Sequence, residues 1–135
     1  MGLYEMTQQD PATPLVLVVD DEALLRWHAA DLLSSAGYRV VEADDAATAL
    51  RILEDRPDVK LLFTDIQMPG ALDGLGLARK VHERWPDVLL LVTSGGMRVG
   101  NGDIPDHGRF VAKPYAEVEL LHQVGGLMGE NSRSS

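Results

Sequence analysis

The 135-residue sequence contains no cysteine, which excludes disulfide bonds and thiolate chemistry. Its longest apolar runs have the length of a β-strand and are too short to cross a bilayer. The N-terminus lacks a basic segment followed by an apolar one, so a secretory signal is not expected and we predict a cytoplasmic protein. Basic residues are also few, 12 against 21 acidic residues, for a formal net charge of −9. Such a charge repels nucleic acid and anionic membranes, so we expect neither as a partner.

The remaining composition is typical of one globular domain. Hydrophobic residues make up 45% of the chain, which is enough to build a core at this length. Residues 1–14 are polar and contain Pro11 and Pro14, so we predict a flexible N-terminal arm there. We predict that residues 15–128 form the folded domain and that residues 129–135 form a flexible polar tail.

Short apolar segments alternate along the chain with segments of helical periodicity. Strands too apolar to face water, alternating with helices, predict a parallel sheet covered by helices on both faces, an α/β three-layer sandwich. The predicted strands are Leu15–Val19, Tyr38–Ala43, Leu61–Asp65, Val88–Thr93 and Arg109–Ala112, and the predicted helices are Glu22–Ala36, a helix from Asp44 or Asp45 to Pro57, one from Asp73 to Pro86, and Tyr115–Met128.

Polar residues stand at the ends of four of the five predicted strands, namely Asp20-Asp21, Asp65, Thr93 and Lys113. The carboxyl ends of parallel strands share one edge of the sheet, so these residues are expected to meet in one crevice. Three carboxylates there would repel one another unless a divalent cation neutralised them, and Mg²⁺ suits oxygen ligands. A carboxylate, a lysine ammonium and a hydroxyl can together stabilise a phosphoryl group in transfer. We therefore predict that Asp65 is a nucleophile that becomes phosphorylated.

Four motifs follow one another along the chain, Val-Val-Asp20-Asp21-Glu22, Thr64-Asp65-Ile-Gln-Met68-Pro69, Leu-Val-Thr93-Ser94-Gly95 and Phe110-Val-Ala-Lys113-Pro114-Tyr115. This ordered set resembles the motifs of the receiver domains of two-component response regulators, and the resemblance spans residues 15–128.

This resemblance implies a flavodoxin-like sheet with the strand order 2-1-3-4-5. It implies that a sensor histidine kinase or a histidine phosphotransfer protein donates the phosphoryl group, whose oxygens Thr93 and Lys113 would contact. It also implies a cis peptide bond between Lys113 and Pro114. The resemblance further implies Mg²⁺ bound by Asp20, Asp21, Asp65 and the main-chain carbonyl of Gln67.

In similar domains an aromatic residue three positions before the lysine turns inward when phosphorylation draws the threonine toward the phosphoryl group. Phe110 occupies that position, and Thr93 with Phe110 would form the switch. Since Phe110 has no hydroxyl, it could report only by burial. A plain core role for Phe110 is the open alternative.

The sequence departs from the family pattern in two places. The loop between Met68 and Gly74 is one residue longer than usual, which we interpret as a harmless insertion. The segment 94–108 carries a helix in similar domains, but here it contains five glycines after Ser94 and one proline. In a helix each glycine lowers the stability by ~1 kcal/mol relative to alanine, and each proline lowers it by ~3 kcal/mol. We predict that this fourth helix is short or absent. Because that face is the usual dimer surface of similar domains, we expect a monomer or a weak dimer.

Several other residues are predicted to have structural roles rather than a part in the phosphoryl chemistry. Ser94 is predicted to be a loop residue rather than a second phosphoryl contact. Trp27 and Trp85 are predicted to be packing residues, with a partner contact by Trp27 as the alternative. The four histidines lack metal-binding spacing and are predicted to be surface or core residues. The resemblance makes the first helix the expected docking surface for a kinase.

The leading functional hypothesis is a stand-alone signalling module that acts by protein contact, or as a phosphate shuttle or sink. It would catalyse only its own phosphorylation and dephosphorylation. An aspartyl-phosphate hydrolase is disfavoured because Gln67 stands where such enzymes need a second acid. A nucleotide or flavin binder is disfavoured because Asp20-Asp21-Glu22 would repel a phosphate, and a degenerate receiver that only binds partners is disfavoured because the site residues are all present.

Overall fold

The computed structural model describes residues 13–68, 73–95, 104 and 108–133, with side chains described as far as residue 129. Five strands and four helices are found in this part of the chain. They are β1 (Leu15–Val19), α1 (Ala23–Ser35), β2 (Arg39–Ala43), α2 (Ala46–Asp55), β3 (Val59–Asp65), α3 (Gly74–Arg84), β4 (Leu89–Ser94), β5 (Arg109–Ala112) and α4 (Glu117–Arg133).

The five strands form a single sheet in the order β2-β1-β3-β4-β5, and every neighbouring pair is parallel. The predicted architecture and strand order are confirmed. In this register Asp65 of β3 is the partner of Thr93 of β4, and Thr93 is in turn the partner of Val111 of β5. The register therefore sets the acidic end of the central strand beside the hydroxyl-bearing end of the next.

Alternation along the strands divides the core into two layers, one on each face of the sheet. In β1, for example, Leu15, Leu17 and Val19 belong to one layer, and Val16 and Val18 belong to the other. Helices α2 and α3 cover the first face, and α1 and α4 cover the second. Both faces of the three central strands β1, β3 and β4 are thus largely buried, which is why their sequences are almost continuously apolar.

Local capping fixes where the helices begin and end. Of the two candidate caps of α2, Asp45 is the one that accepts a hydrogen bond from the Thr48 backbone N–H, at 2.8 Å, and this bond lowers the pKa of the Asp45 carboxyl. Asp73 caps α3 by accepting from the Gly76 N–H at 2.8 Å. Gly37 follows α1 with φ of +102°, a left-handed conformation that favours glycine.

Residues at both ends of the predicted domain take part in the described structure. The main-chain carbonyls of Thr13 and Pro14 accept hydrogen bonds from the side chain and the N–H of Arg39, so these two residues belong to the folded domain. Helix α4 continues through Gly129 to Arg133, five residues past its predicted end. A glycine costs a helix only ~1 kcal/mol, and no proline follows to end it. The rest of the predicted arm, residues 1–12, and residues 134–135 lie outside the described residues.

The segment 94–108, for which we predict a short helix or none, and the lengthened loop before Gly74 lie mainly outside the described residues. Between Gly95 and Arg109 only Ile104 and Gly108 are described, and residues 69–72 of the loop are not. Among the described helices, none is both long and apolar enough to cross a membrane.

Candidate functional site

The polar residues at the strand ends lie together at the carboxyl edge of the sheet. Asp20 directly follows β1, Asp65 ends β3, Thr93 is the penultimate residue of β4, and Lys113 directly follows β5. Asp20, Asp65 and Thr93 are only 5%, 4% and 2% exposed, respectively. Charged and hydroxyl groups this deeply buried need partners or a ligand, since burial without them is costly.

Lys113 is the cation at the centre of this group. Its Nζ lies 2.9 Å from Asp65 Oδ2, 3.2 Å from Asp20 Oδ2 and 3.8 Å from Glu22 Oε1. Burial lowers the pKa of the Lys113 ammonium, but the hydrogen bond to Asp65 and the charges of Asp20 and Asp65 outweigh it, so the pKa lies above its ordinary value. Lys113 therefore stays charged and holds both carboxylates. The peptide bond between Lys113 and Pro114 is cis, as the resemblance implied.

The Asp65 side chain is held at both of its oxygens. Oδ2 accepts from Lys113, and Oδ1 accepts from the Gln67 backbone N–H at 3.1 Å. The main chain just beyond it is tied to the neighbouring strand, because the Ile66 N–H donates to the Thr93 carbonyl at 2.9 Å. A carboxylate fixed in this way loses little conformational freedom when it reacts.

Thr93 presents a buried hydroxyl that lacks a partner within the described part of the chain. Its Oγ1 is inaccessible to water and makes no hydrogen bond there. Buried polar atoms in native proteins are nearly always satisfied, and an exception needs an explanation such as a missing ligand. An oxygen-rich ligand beside Asp65 would provide the missing acceptor.

Three carboxylates form a candidate site for a divalent cation. Asp20, Asp21 and Asp65 each offer an oxygen atom, and these oxygens lie within 4.8 Å of one another. Asp21 is exposed whereas Asp20 and Asp65 are buried, so the cluster opens to solvent on one side. A donor set made only of carboxylate oxygens fits a hard cation rather than a soft one. No histidine belongs to a metal-binding cluster among the residues that the structure describes.

The predicted structural roles of two residues, Ser94 and Trp27, are wrong. Ser94 is not a loop residue: it ends β4 opposite Ala112, is only 2% exposed, and its carbonyl accepts from the Lys113 N–H at 3.0 Å. Trp27 is not a packing residue, since 59% of it is exposed on α1. Trp85, in contrast, packs against the core as predicted.

An apolar cleft of about 460 Å³ opens beside the lysine. Tyr115 forms part of its wall and meets Phe63 edge to face, with ring centroids 5.8 Å apart. Burial raises the pKa of the Tyr115 phenol, so it stays neutral. The sequence alone does not predict this role for the Tyr115 side chain. The cleft is lined by Leu25, His28, Gly95, Lys113, Pro114 and Tyr115.

Gly74, the first residue of α3, packs directly on the main chain of the Asp65 strand end. A methyl group at Gly74 would lie 2.7 Å from the carbonyl carbon of Asp65 and would overlap its oxygen. We therefore expect Gly74→Ala to lower the free energy of unfolding by about 2 kcal/mol, as overpacking does. We expect the same substitution at Gly125 to raise that free energy by about 1 kcal/mol, because Gly125 is helical with open space around it. Urea denaturation of both variants measures the two changes in the free energy of unfolding. Equal changes in the two variants would show that Gly74 does not pack closely on the Asp65 main chain.

The comparison with known proteins agrees with this geometry. The sequence model of the response regulator receiver domain matches residues 16–125. The chain belongs to this family. Receiver domains of two-component systems interact with histidine kinases or phosphotransfer proteins, and phosphoryl transfer to an aspartate is what membership implies. The matched residues lie inside the predicted domain and contain all the residues of the site.

Individual relatives of this receiver domain differ in length. It is 31% identical over 116 residues to the response regulator receiver protein CpdR of Brucella abortus, which covers 84% of this chain and 95% of CpdR. It is also 31% identical over 124 residues to the aerobic respiration control protein ArcA of Escherichia coli, which covers 86% of this chain but only 49% of ArcA. The chain thus spans about half the length of ArcA and nearly all of CpdR.

Solved structures include similar folds. The response regulator receiver protein of Pseudomonas putida superimposes with a TM-score of 0.76 at 34% identity, covering 85% of this chain and 98% of that one. The receiver protein of Sinorhizobium medicae superimposes with a TM-score of 0.82 at 25% identity, covering 90% and 99%.

Proposed function

We propose that this receiver domain accepts a phosphoryl group on Asp65 from a phosphohistidine of a sensor kinase or phosphotransfer protein. The observation that carries the proposal is the surrounding of Asp65. One carboxylate oxygen contacts an ammonium at 2.9 Å, and the partner residue in the next strand, Thr93, has a buried hydroxyl without a partner in the described part of the chain. These are the donors that a transferred phosphoryl group needs.

The transfer needs little acid–base chemistry from the protein. A carboxylate oxygen of Asp65 attacks the phosphorus, the phosphorus–oxygen bond forms, and the phosphorus–nitrogen bond of the phosphohistidine breaks. The electron pair of that bond stays on the imidazole nitrogen. A carboxylate nucleophile has no proton to lose, so no general base is required at Asp65. Lys113 and Thr93 then donate hydrogen bonds to the oxygens of the transferred group.

Mg²⁺ is the cation we propose for the acidic cluster. Asp20, Asp21 and Asp65 would hold it, together with the main-chain carbonyl of Gln67. When bound, Mg²⁺ would neutralise charge on the phosphoryl oxygens. The charge balance of the site supports a cation, since Lys113 is one positive charge against the four carboxylates of Asp20, Asp21, Glu22 and Asp65.

The signal would leave the site through Thr93 and Phe110. Phe110 is the β5 partner of Val92, next to Thr93, and it is half buried against the core layer under α2 and α3. A shift of Thr93 toward a phosphoryl group would free space near Phe110, and the ring would report by deeper burial because it has no hydroxyl to bond.

Helix α1 is the partner surface we propose. Leu24 and Trp27 are 81% and 59% exposed there, and Leu25 and His28 line the cleft beside Lys113. Exposed large apolar side chains next to a reactive group are typical of a contact surface.

The domain would act by protein contact or as a phosphate shuttle or sink, and it would catalyse only its own phosphorylation and dephosphorylation. An aspartyl-phosphate hydrolase would need an acidic residue at the position that Gln67 occupies.

The test is phosphorylation of the purified chain by a small phosphodonor such as phosphoramidate, followed by intact mass spectrometry. We expect a mass gain of one phosphoryl group that needs Mg²⁺, disappears with a chelator, survives acid and is lost in base. A gain that is unaffected by the chelator, or no gain at saturating donor and Mg²⁺, would refute the proposal.

A further inference from the structure

Arg26 of α1 connects the acidic cluster to the neighbouring strand. Its Nη1 donates to the main-chain carbonyl of Asp20 at 2.9 Å, and its Nε donates to Glu42 Oε1 at 3.1 Å. Glu42 is the penultimate residue of β2, and the Arg26 side chain is 21% exposed. One planar guanidinium therefore ties together α1, the end of β1 and the end of β2.

The carbonyl that Arg26 binds belongs to the peptide bond between Asp20 and Asp21. The N–H of Asp20 donates to the Ala43 carbonyl at 3.2 Å, and Oδ1 of Asp20 accepts from the Glu22 N–H at 2.9 Å. Asp20 is thus held from the strand side through its own N–H, which belongs to the preceding peptide, and from the start of α1 through its side chain. The Asp20 carbonyl, which lies in the peptide between the two carboxylate residues, accepts its hydrogen bond from the Arg26 guanidinium.

We propose that Arg26 is a positioning residue that sets the Mg²⁺ affinity of the acidic cluster by holding the Asp20–Asp21 peptide. The inference rests on the proposed metal site. Groups that orient metal ligands without touching the metal typically contribute tenfold or more to affinity. The guanidinium also carries a positive charge, which by itself opposes cation binding. When Arg26 is replaced by an uncharged residue, loss of positioning would therefore raise the Kd of Mg²⁺, whereas loss of the charge would lower it.

The experiment is calorimetric titration of Mg²⁺ into the unphosphorylated full chain. For Arg26→Met, which removes the charge and the hydrogen bonds but keeps much of the bulk, we expect about a tenfold rise in Kd. For Arg26→Lys, which keeps the charge but loses the planar two-sided donor, we expect a smaller rise. The control is Arg84→Met, which removes another Arg–Glu pair, Arg84 Nη2 to Glu54 Oε2 at 2.9 Å on α3 and α2, and should leave Kd unchanged.

Melting curves in chelator identify any variant that fails to fold, in which case Arg26→Lys decides the outcome. Unchanged or tighter Mg²⁺ binding in a folded Arg26 variant would overturn the proposal while leaving the metal site intact. Absence of Mg²⁺ binding in the unsubstituted protein would overturn the metal site and this inference together.

Discussion

Replacing Asp65 with asparagine is expected to abolish phosphorylation completely. The amide has nearly the shape of the carboxylate, and its oxygen can still accept a hydrogen bond from Lys113 or from the Gln67 N–H, which both hold Asp65 now. It cannot form an acyl phosphate. The fold should therefore survive while the chemistry disappears, and intact mass spectrometry after incubation with phosphoramidate and Mg²⁺ measures the loss.

The matched control for this prediction is Asp55→Asn. Asp55 is exposed at the end of α2, shortly before β3 begins and therefore toward the opposite edge of the sheet from the site, and its replacement removes the same charge. We expect a full mass gain in Asp55→Asn. Persistent phosphorylation of Asp65→Asn, or an equal loss in both variants, would show that Asp65 is not the acceptor.

Replacing Lys113 with methionine should have the second largest effect. The substitution leaves Asp20 and Asp65 buried without the ammonium that lies 3.2 Å and 2.9 Å from them. Loss of one partner of a buried ion pair commonly costs 3–5 kcal/mol, and since the Lys113 side chain is 14% exposed we expect about 3 kcal/mol. Adding Mg²⁺ should recover part of that loss, because it binds the folded state and replaces the missing charge. Urea denaturation with and without Mg²⁺ measures both effects.

Phosphorylation of the Lys113→Met variant should also be slower, by about a hundredfold, as expected for a lost donor to the transferred group. Lys80→Met, at an exposed position on α3, is the control and should change neither stability nor rate. A Lys113→Met variant as stable as the unsubstituted protein in chelator would mean that the ammonium does not compensate the carboxylates.

The sheet and the meeting of its polar ends were predictable because both follow from the pattern of the strands. Apolar runs such as Leu61–Phe63 require cover on both faces, and parallel strands must bring their carboxyl ends to one edge. Asp20, Asp65, Thr93 and Lys113 could therefore be placed together without knowing any distance between them.

Features that depend on contacts between distant segments were not predictable in this way. Nothing in the sequence around Arg26 indicates that its side chain reaches the Asp20 carbonyl, and nothing around Gly74 indicates that it packs on the Asp65 main chain. Ser94 was misplaced because its pairing with Ala112 extends β4 by one residue, and strand ends depend on the partner strand. Trp27 was misplaced because a large aromatic residue is usually buried, whereas here it lies on the solvent face of α1.

The most direct test of phosphorylation at Asp65 is to locate the phosphoryl group. The chain is phosphorylated by phosphoramidate in Mg²⁺, treated with borohydride, which reduces an acyl phosphate to an alcohol, and digested for peptide mapping. The assignment of Asp65 as the phosphoryl acceptor predicts homoserine at position 65 and aspartate at positions 20 and 21. Homoserine at any other position, or a phosphoryl group found on a histidine or a hydroxyl side chain, would contradict it.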